Sequence, residues 1–286
     1  MAAGEVKRVG VVGLGTMGSG IAQVCVQAGV PTVACETTAE LAERGRGSID
    51  KQLARAVEKG KLTEDARATT MGLLTTTPDF DALGECDLVI EAVFESMDVK
   101  HELFGRLEQI VRPDAVLASN TSALSVTEIA AALGHPERVC GMHFFNPVPV
   151  LALVEVVKAE KTSDATFDTA FAFAQKLGKQ PIACGDTPGF VVNRILVPVL
   201  NDAVRVFDEG TASAEDIDKG MQLGAAWPIG PLALIDLIGV DVMVHVCEAL
   251  WEAYREPRFA PAPLMVRMAK AGKLGRKSGE GFYAYQ

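Results

Sequence analysis

The order of the first 36 residues constrains this chain more than anything after it. Residues 7–12 (KRVGVV) form a short apolar, β-branched run of the kind a buried parallel strand requires. A glycine cluster follows, Met17 to Ala28 reads as a helix closed by Gly29, and Thr32–Cys35 reads as a second strand ending at Glu36. Strand, glycine turn, helix, strand and acid is the order of a mononucleotide-binding βαβ unit. At the turn, Gly13, Gly15 and Gly18 spell GLGTMG. The first glycine makes the tight turn, the second lets the backbone approach a pyrophosphate, and the third lets the helix pack on the strand. Leu14, Thr16 and Met17 lie between them and are expected against the same ligand, which meets free amides and a positive dipole end there. Glu36 is placed to accept the ribose hydroxyls, and a 2′-phosphate at that point would meet like charge. No Arg or Lys directly follows it, so NAD is the expected cofactor and NADP is disfavoured. A glycine turn with a capping acid and no nucleotide is the plainer alternative; the βαβ context weighs against it.

The alternation continues. Helical stretches at 39–59, 64–71, 97–110, 125–133 and 165–177 are interleaved with strand-like pieces at 87–92, 115–119, 139–144, 153–157 and 180–184. This predicts a Rossmann-type α/β domain with a mostly parallel sheet covered on both faces. After Asp186 no convincing strand remains, and helical patterns run over 189–208, 213–223, 230–254 and 262–271. The expected division is a dinucleotide-binding domain over 1–186 and an all-α domain over 187–286.

Composition excludes several alternatives. With 49% hydrophobic and 22% charged residues, wholesale disorder is ruled out. Lys and Arg number 27 against 37 Asp and Glu, a formal charge of −10, so no nucleic-acid partner is expected. Mean hydropathy is +0.21, but the best membrane candidate, residues 234–251, is interrupted by Asp236, Asp241, His245 and Glu248. Cys25, Cys35, Cys86, Cys140, Cys184 and Cys247 form no CxxC pair and no zinc spacing, so no metal is expected and the thiols read as buried in a reducing compartment. No signal h-region precedes Val9. These features read as a soluble, cytoplasmic protein with no membrane partner.

Past residue 115 several polar residues stand out from apolar surroundings. His143, in HFFNPVPV, ends a predicted strand at the edge where such sheets bind ligands, and histidine is the side-chain type suited to proton exchange with a hydroxyl near neutral pH. Glu155 is an isolated acid within LVEVV; it either pairs with His143 or faces solvent from an edge strand. Asn120 and Ser122, in SNTS, suit helix capping as well as catalysis. Asn193, in PGFVVNR, suits a cap or a polar contact between domains. Lys51, Arg55 and Lys59 make one basic stripe on a helix of an acidic protein, and a solvated face is its usual explanation.

These motifs, in this order, resemble the L-3-hydroxyacyl-CoA dehydrogenase family, most closely its short bacterial members, the 3-hydroxybutyryl-CoA dehydrogenases, over residues 7–286. The resemblance implies interconversion of (S)-3-hydroxyacyl-CoA and 3-oxoacyl-CoA with NAD, on short acyl chains. It makes His143 the general base, Glu155 its orienting partner, Ser122 a hydrogen-bond donor to the substrate oxygen, and Asn193 a positioning residue for the acyl group. Glu95, Lys100, Asn120, Ser122 and Asn146 match family residues lining the nicotinamide half of the cofactor site, and Lys277, in GRKSGEGFY, matches a loop lysine near the cofactor. The stripe Lys51, Arg55 and Lys59 falls where the family receives the phosphate-rich end of coenzyme A. A homodimer through the helical domain is implied too, in keeping with apolar runs such as ILVPVL (195–200) and ALIDLIGV (233–240). Three positions depart from the family pattern: Glu36 where Asp is more frequent, Ala123 where many relatives have Ser, and Ala226-Trp227 where short bacterial members often have Asn-His. A same-fold dehydrogenase of a non-CoA hydroxy acid keeps the serine, histidine and glutamate but does not require the basic stripe.

Overall fold

Short β-branched runs become short strands, and most of them are followed by a helix that covers the sheet. The computed structural model describes residues 4–285. Its elements run β1 (Val9–Val12), α1 (Thr16–Gln27), β2 (Thr32–Cys35), α2 (Ala39–Glu58), α3 (Glu64–Gly72), β3 (Leu74–Thr77), β4 (Leu88–Glu91), α4 (Met97–Ile110) and β5 (Val116–Ser119). They continue with α5 (Val126–Ala131), β6 (Val139–Phe144), β7 (Leu153–Lys158), α6 (Asp164–Lys176) and β8 (Gln180–Gly185). The eight strands make one sheet in the order β3-β2-β1-β4-β5-β6-β7-β8. β1 to β6 are mutually parallel, β7 runs antiparallel to β6, and β8 is parallel to β7. The order reverses between β1 and β4, the switch point at which open parallel sheets bind ligands beyond their carboxyl ends. The sheet is the Rossmann-type, mostly parallel arrangement expected from the alternation.

One face of the central strands is apolar. Val9, Val11, Leu88, Ile90, Val116, Ala118, Met142, Phe144, Val154 and Val156 share a core with Ile21, Ile49, Leu53 and Phe173 of the covering helices. Because successive strand residues point to opposite faces, the other face receives Glu91, Ser119, His143 and Glu155. The register places Glu91 opposite Ser119 and His143 opposite Glu155. A row of polar groups therefore crosses a buried face, and every member must find a partner.

The chain divides into two compact units, the first ending at Thr187 and the second beginning at Pro188. The second contains α7 (Val192–Asp208), α8 (Ala214–Gly224), α9 (Pro231–Ile238), α10 (Val240–Tyr254) and α11 (Pro263–Lys270) around a core that includes Leu200, Ile235, Met243, Leu250, Phe259 and Met265. Its tail is anchored by two buried carboxylates. Asp218 accepts hydrogen bonds from the amides of Leu232 and Ala233, at the start of α9, and from the Tyr283 hydroxyl. Asp236 accepts from the amides of Phe282 and Tyr283 and from the Tyr285 hydroxyl.

Three details differ from the sequence reading. The helix expected over 230–254 is two helices, broken at Gly239, whose φ of 110° lies outside the helical range. The helix expected from 189 starts at Val192, because Gly189 (φ 77°) and Phe190 (φ 46°) make a left-handed turn ahead of it. β3, with the sequence LTTT, lies outside the expected strands: three threonines give no apolar alternation, and the strand forms by parallel pairing with β2 at the sheet edge.

Candidate active site

The carboxyl ends of β1, β2 and β4 open on a cleft of about 640 Å³, lined by the glycine loop, Cys35, Glu36, Phe80, Val93, Leu103 and Arg106 among others. The three loop glycines meet different surroundings. Gly13 has φ 88°, and a Cβ on Gly18 would lie 1.7 Å from the Gly13 carbonyl oxygen. A Cβ on Gly15 would meet nothing within 4 Å, so that residue's small size keeps open space in the cleft. α1 has Gly15 as its N-cap, with no side-chain cap and no acid in its first turn, leaving its amides to a ligand. Glu36 accepts hydrogen bonds from the Leu14 amide at 2.7 Å and the Thr37 amide at 3.1 Å. This ties the carboxylate to the rim of the glycine loop, and its remaining lone pairs can accept two hydroxyls. Open backbone, uncapped amides and a rim carboxylate fit an adenosine diphosphate moiety. Arg106 stacks over the Phe80 ring at 4.1 Å and forms one wall.

Beyond the switch point the site is made of side chains. His143 Nδ1 lies 2.7 Å from Glu155 Oε2, with the histidine 6% exposed and the glutamate 0%. Their antiparallel register creates this contact: a directly opposed pair on one face brings a ring nitrogen to a carboxylate without either chain bending. A neutral imidazole that donates from Nδ1 to a carboxylate carries its lone pair on Nε2. The Phe145 ring packs against the imidazole at 4.5 Å between centroids.

A second buried network stands beside this pair. Lys100 Nζ donates to both oxygens of Glu91, at 2.6 and 2.8 Å, and pairs with Glu95 at 3.2 Å. Glu91 also accepts from the Ser119 hydroxyl at 2.6 Å and the Val93 amide at 2.8 Å. Glu95 accepts from the Thr121 hydroxyl at 2.5 Å and the Ser122 amide at 3.0 Å. Burial opposes its ionisation, but Lys100 and these two hydrogen bonds hold the Glu95 carboxyl below the usual carboxylate range. Removing one partner of a buried pair such as Glu91–Lys100 strands the other and costs about 3–5 kcal/mol.

Ser122, Glu95, Lys100, Asn120, Asn146, His143 and Glu155 all lie at or near the carboxyl ends of β4, β5 and β6, or opposite them on β7. Their exposures differ. Lys100 is fully buried, Asn146 is exposed, and its bond to Pro147 is cis. Asn120 serves as a clamp, its amide donating to the Glu91 carbonyl and its Oδ1 accepting from the Phe144 amide, which joins the ends of β4, β5 and β6. Lys51 and Arg55 are exposed on α2, and Lys59 is exposed at its C-cap. Asn193, at the start of α7, and Lys277, which pairs with Asp241 at 2.6 Å, belong to the second unit. Glu91, Ser119 and Thr121 are not among the residues that the sequence reading singles out. Glu91 carries the same signal as Glu155, a lone acid in an apolar strand (DLVIEA).

Residues 8–187 match the family described as 3-hydroxyacyl-CoA dehydrogenase, NAD binding domain, and residues 189–285 match the 3-hydroxyacyl-CoA dehydrogenase, C-terminal domain. The probable 3-hydroxybutyryl-CoA dehydrogenase of Deinococcus radiodurans is 48% identical over 97% of this chain and 100% of its own. The mitochondrial hydroxyacyl-coenzyme A dehydrogenase of Rattus norvegicus is 42% identical over 98% of this chain and 92% of its own. The crystal structure of (S)-3-hydroxybutyryl-CoA dehydrogenase PaaH1 from Ralstonia eutropha superposes with a TM-score of 0.94 at 44% identity, covering 99% of this chain and 100% of that one. With both domain matches in sequence order and full-length likeness in sequence and fold, the chain belongs to the 3-hydroxyacyl-CoA dehydrogenase family.

Proposed function

We propose that this enzyme interconverts (S)-3-hydroxyacyl-CoA and 3-oxoacyl-CoA on short acyl chains, with 3-hydroxybutyryl-CoA and acetoacetyl-CoA as the pair. The observation that carries the mechanism is the buried His143–Glu155 contact at 2.7 Å, at the end of the strand that follows the Asn120 and Ser122 loop in the sheet. When bound, NAD would supply the acceptor for the hydride that leaves C3. His143 takes the C3 hydroxyl proton on Nε2 while Nδ1 stays bonded to Glu155, whose carboxylate stabilises the imidazolium that results. Ser122, its amide fixed by Glu95, directs its hydroxyl to the same substrate oxygen. Asn193 orients the acyl group, and Lys277 with the loop residues Gly13 to Gly18 contacts the cofactor. Asn146 and the Glu95–Lys100 pair border its nicotinamide half. Glu36 disfavours NADP by like-charge repulsion with a 2′-phosphate.

The CoA handle is assigned to Lys51, Arg55 and Lys59, three exposed cations on α2 and its C-cap in a chain of net charge −10. Dimerisation is assigned to the second unit, where Ile195 is 66% and Leu237 53% exposed within the two apolar runs. Six free cysteines, five of them buried, fit a reducing compartment such as the cytoplasm. Among the described residues no helix is long and apolar enough to cross a membrane. The deciding assay follows NADH absorbance with acetoacetyl-CoA, with free acetoacetate, and with NADPH in place of NADH. Rapid oxidation of NADH by the CoA ester alone supports the reading; equal turnover of free acetoacetate transfers it to a non-CoA hydroxy acid.

A further inference from the structure

The network at the ends of β4 and β5 has a charge as well as a shape. Glu91 and Glu95 share the single ammonium of Lys100, at 2.6 and 3.2 Å. Glu91 is enclosed and takes four hydrogen bonds, two from Lys100, one from Ser119 and one from the Val93 amide. Glu95 is the open member of the three, with 26% of its side chain exposed against 0% for Glu91 and 1% for Lys100. Two carboxylates and one ammonium leave one negative charge, and it falls on Glu95. That residue lies just past the carboxyl end of β4, the first strand beyond the switch point, where a sheet of this order takes the second nucleotide of a dinucleotide. The nicotinamide ring of that nucleotide is cationic when oxidised and neutral when reduced. A fixed negative charge beside it acts on one redox state alone.

We propose that the Glu91–Lys100–Glu95 cluster biases the bound nicotinamide toward its oxidised form, with Glu91 and Ser119 as positioning residues that fix Lys100 and so place the net charge on Glu95. The proposal rests on the reading that this half of the sheet holds the nicotinamide end of NAD. Its chemical consequence is directional. Stabilising the oxidised ring makes the bound couple a stronger reductant than the free one, so the equilibrium on the enzyme leans toward the 3-hydroxyacyl ester.

The test is the ratio of NAD and NADH affinities in the full chain and in Glu95→Gln. The amide oxygen of glutamine still accepts from Thr121 and Ser122, while the charge is lost together with the 3.2 Å ion pair to Lys100. Calorimetric titration with NAD and fluorescence titration with NADH give the two Kd values, and thermal unfolding checks that the variant is folded. The expected result is NAD affinity lower by about tenfold with NADH affinity within twofold, the scale of one charge acting through partly solvated protein. A tenfold shift in the ratio corresponds to about 30 mV in the two-electron potential of the bound couple. Glu95→Asp keeps the charge and is expected to keep the ratio even if both affinities fall. An unchanged ratio in Glu95→Gln, or an equal shift in Glu95→Asp, overturns the bias while leaving the cofactor assignment standing. Failure of the unmodified chain to bind either dinucleotide overturns the cofactor reading and this proposal together.

Discussion

Where β1 ends, the cleft is shaped by the main chain of the glycine loop; where β4, β5 and β6 end, the site is made of side chains. The first half works by what is missing: Cβ atoms absent at Gly13, Gly15 and Gly18, and a helix start left without a cap. Glu36 adds a carboxylate at its rim and Arg106 a cation in its wall. The second half works by what is present: two buried acids, one lysine and one histidine, each held by named partners. The difference teaches where each half is fragile. A backbone site fails when an atom is added, whereas a side-chain site fails when an atom or a charge is taken away.

Five substitutions sharpen that contrast, in descending order of expected effect. Lys100→Met leaves Glu91 buried with no cation beside it and is expected to cost about 3–5 kcal/mol, lowering Tm by roughly 10 °C in a thermal melt. A melt within about 2 °C of the parent would mean that the pair contributes little. His143→Gln is expected to lower kcat by at least ~10²-fold while NAD affinity stays within a few-fold, since it removes the proton acceptor and touches nothing in the glycine loop. Steady-state kinetics beside an NADH titration separates the two, and an unchanged kcat removes His143 from the mechanism. Gly18→Ala drives a methyl group to 1.7 Å from the Gly13 carbonyl oxygen, a main-chain atom with little room to move. It should cost about 1–3 kcal/mol and displace the loop, whereas Gly15→Ala, with nothing within 4 Å, should leave Tm unchanged and weaken cofactor binding alone. Equal melts for the two alanines would dissolve the distinction. Glu36→Ala, the smallest of the set, should weaken NAD about tenfold through lost ribose hydrogen bonds with little change in turnover at saturation.

The same contrast explains what is readable from sequence. The first half is legible because its function is written in local order: a strand, three spaced glycines, a helix and an acid lie within 36 consecutive residues. His143 and Glu155 are legible as candidates because a titratable residue inside an apolar strand is conspicuous, although only the antiparallel register shows that they face one another. Glu91 is just as conspicuous in DLVIEA, but its partner is a helical lysine reached by the turn from β4 into α4, and no periodicity in the sequence links the two. Ser119 and Thr121 are hidden for a related reason, since hydroxyls beside a strand end are ordinary and their roles depend on which acid stands next to them. Gly239 escapes notice because a lone glycine is tolerated in many helices; here its φ of 110° breaks the run into α9 and α10.

The reversal of direction at β7 has a consequence for how such a protein can change. Because His143 and Glu155 meet across a ladder of four opposed pairs, Gly141 to Phe144 against Val154 to Val157, their alignment belongs to the sheet and not to the segment joining the strands. A slip of one residue would bring Val154 or Val156 opposite His143 and turn Glu155 to the far face, where the apolar core would reject it. The pairing therefore has no graded intermediates: it is present in full or absent. Residues 145–152 are released from the task of aiming the pair, and beyond Phe145, which packs on the imidazole, and Asn146, assigned to the cofactor, a lineage or a designer can rewrite that connection while the proton-transfer apparatus stays in place.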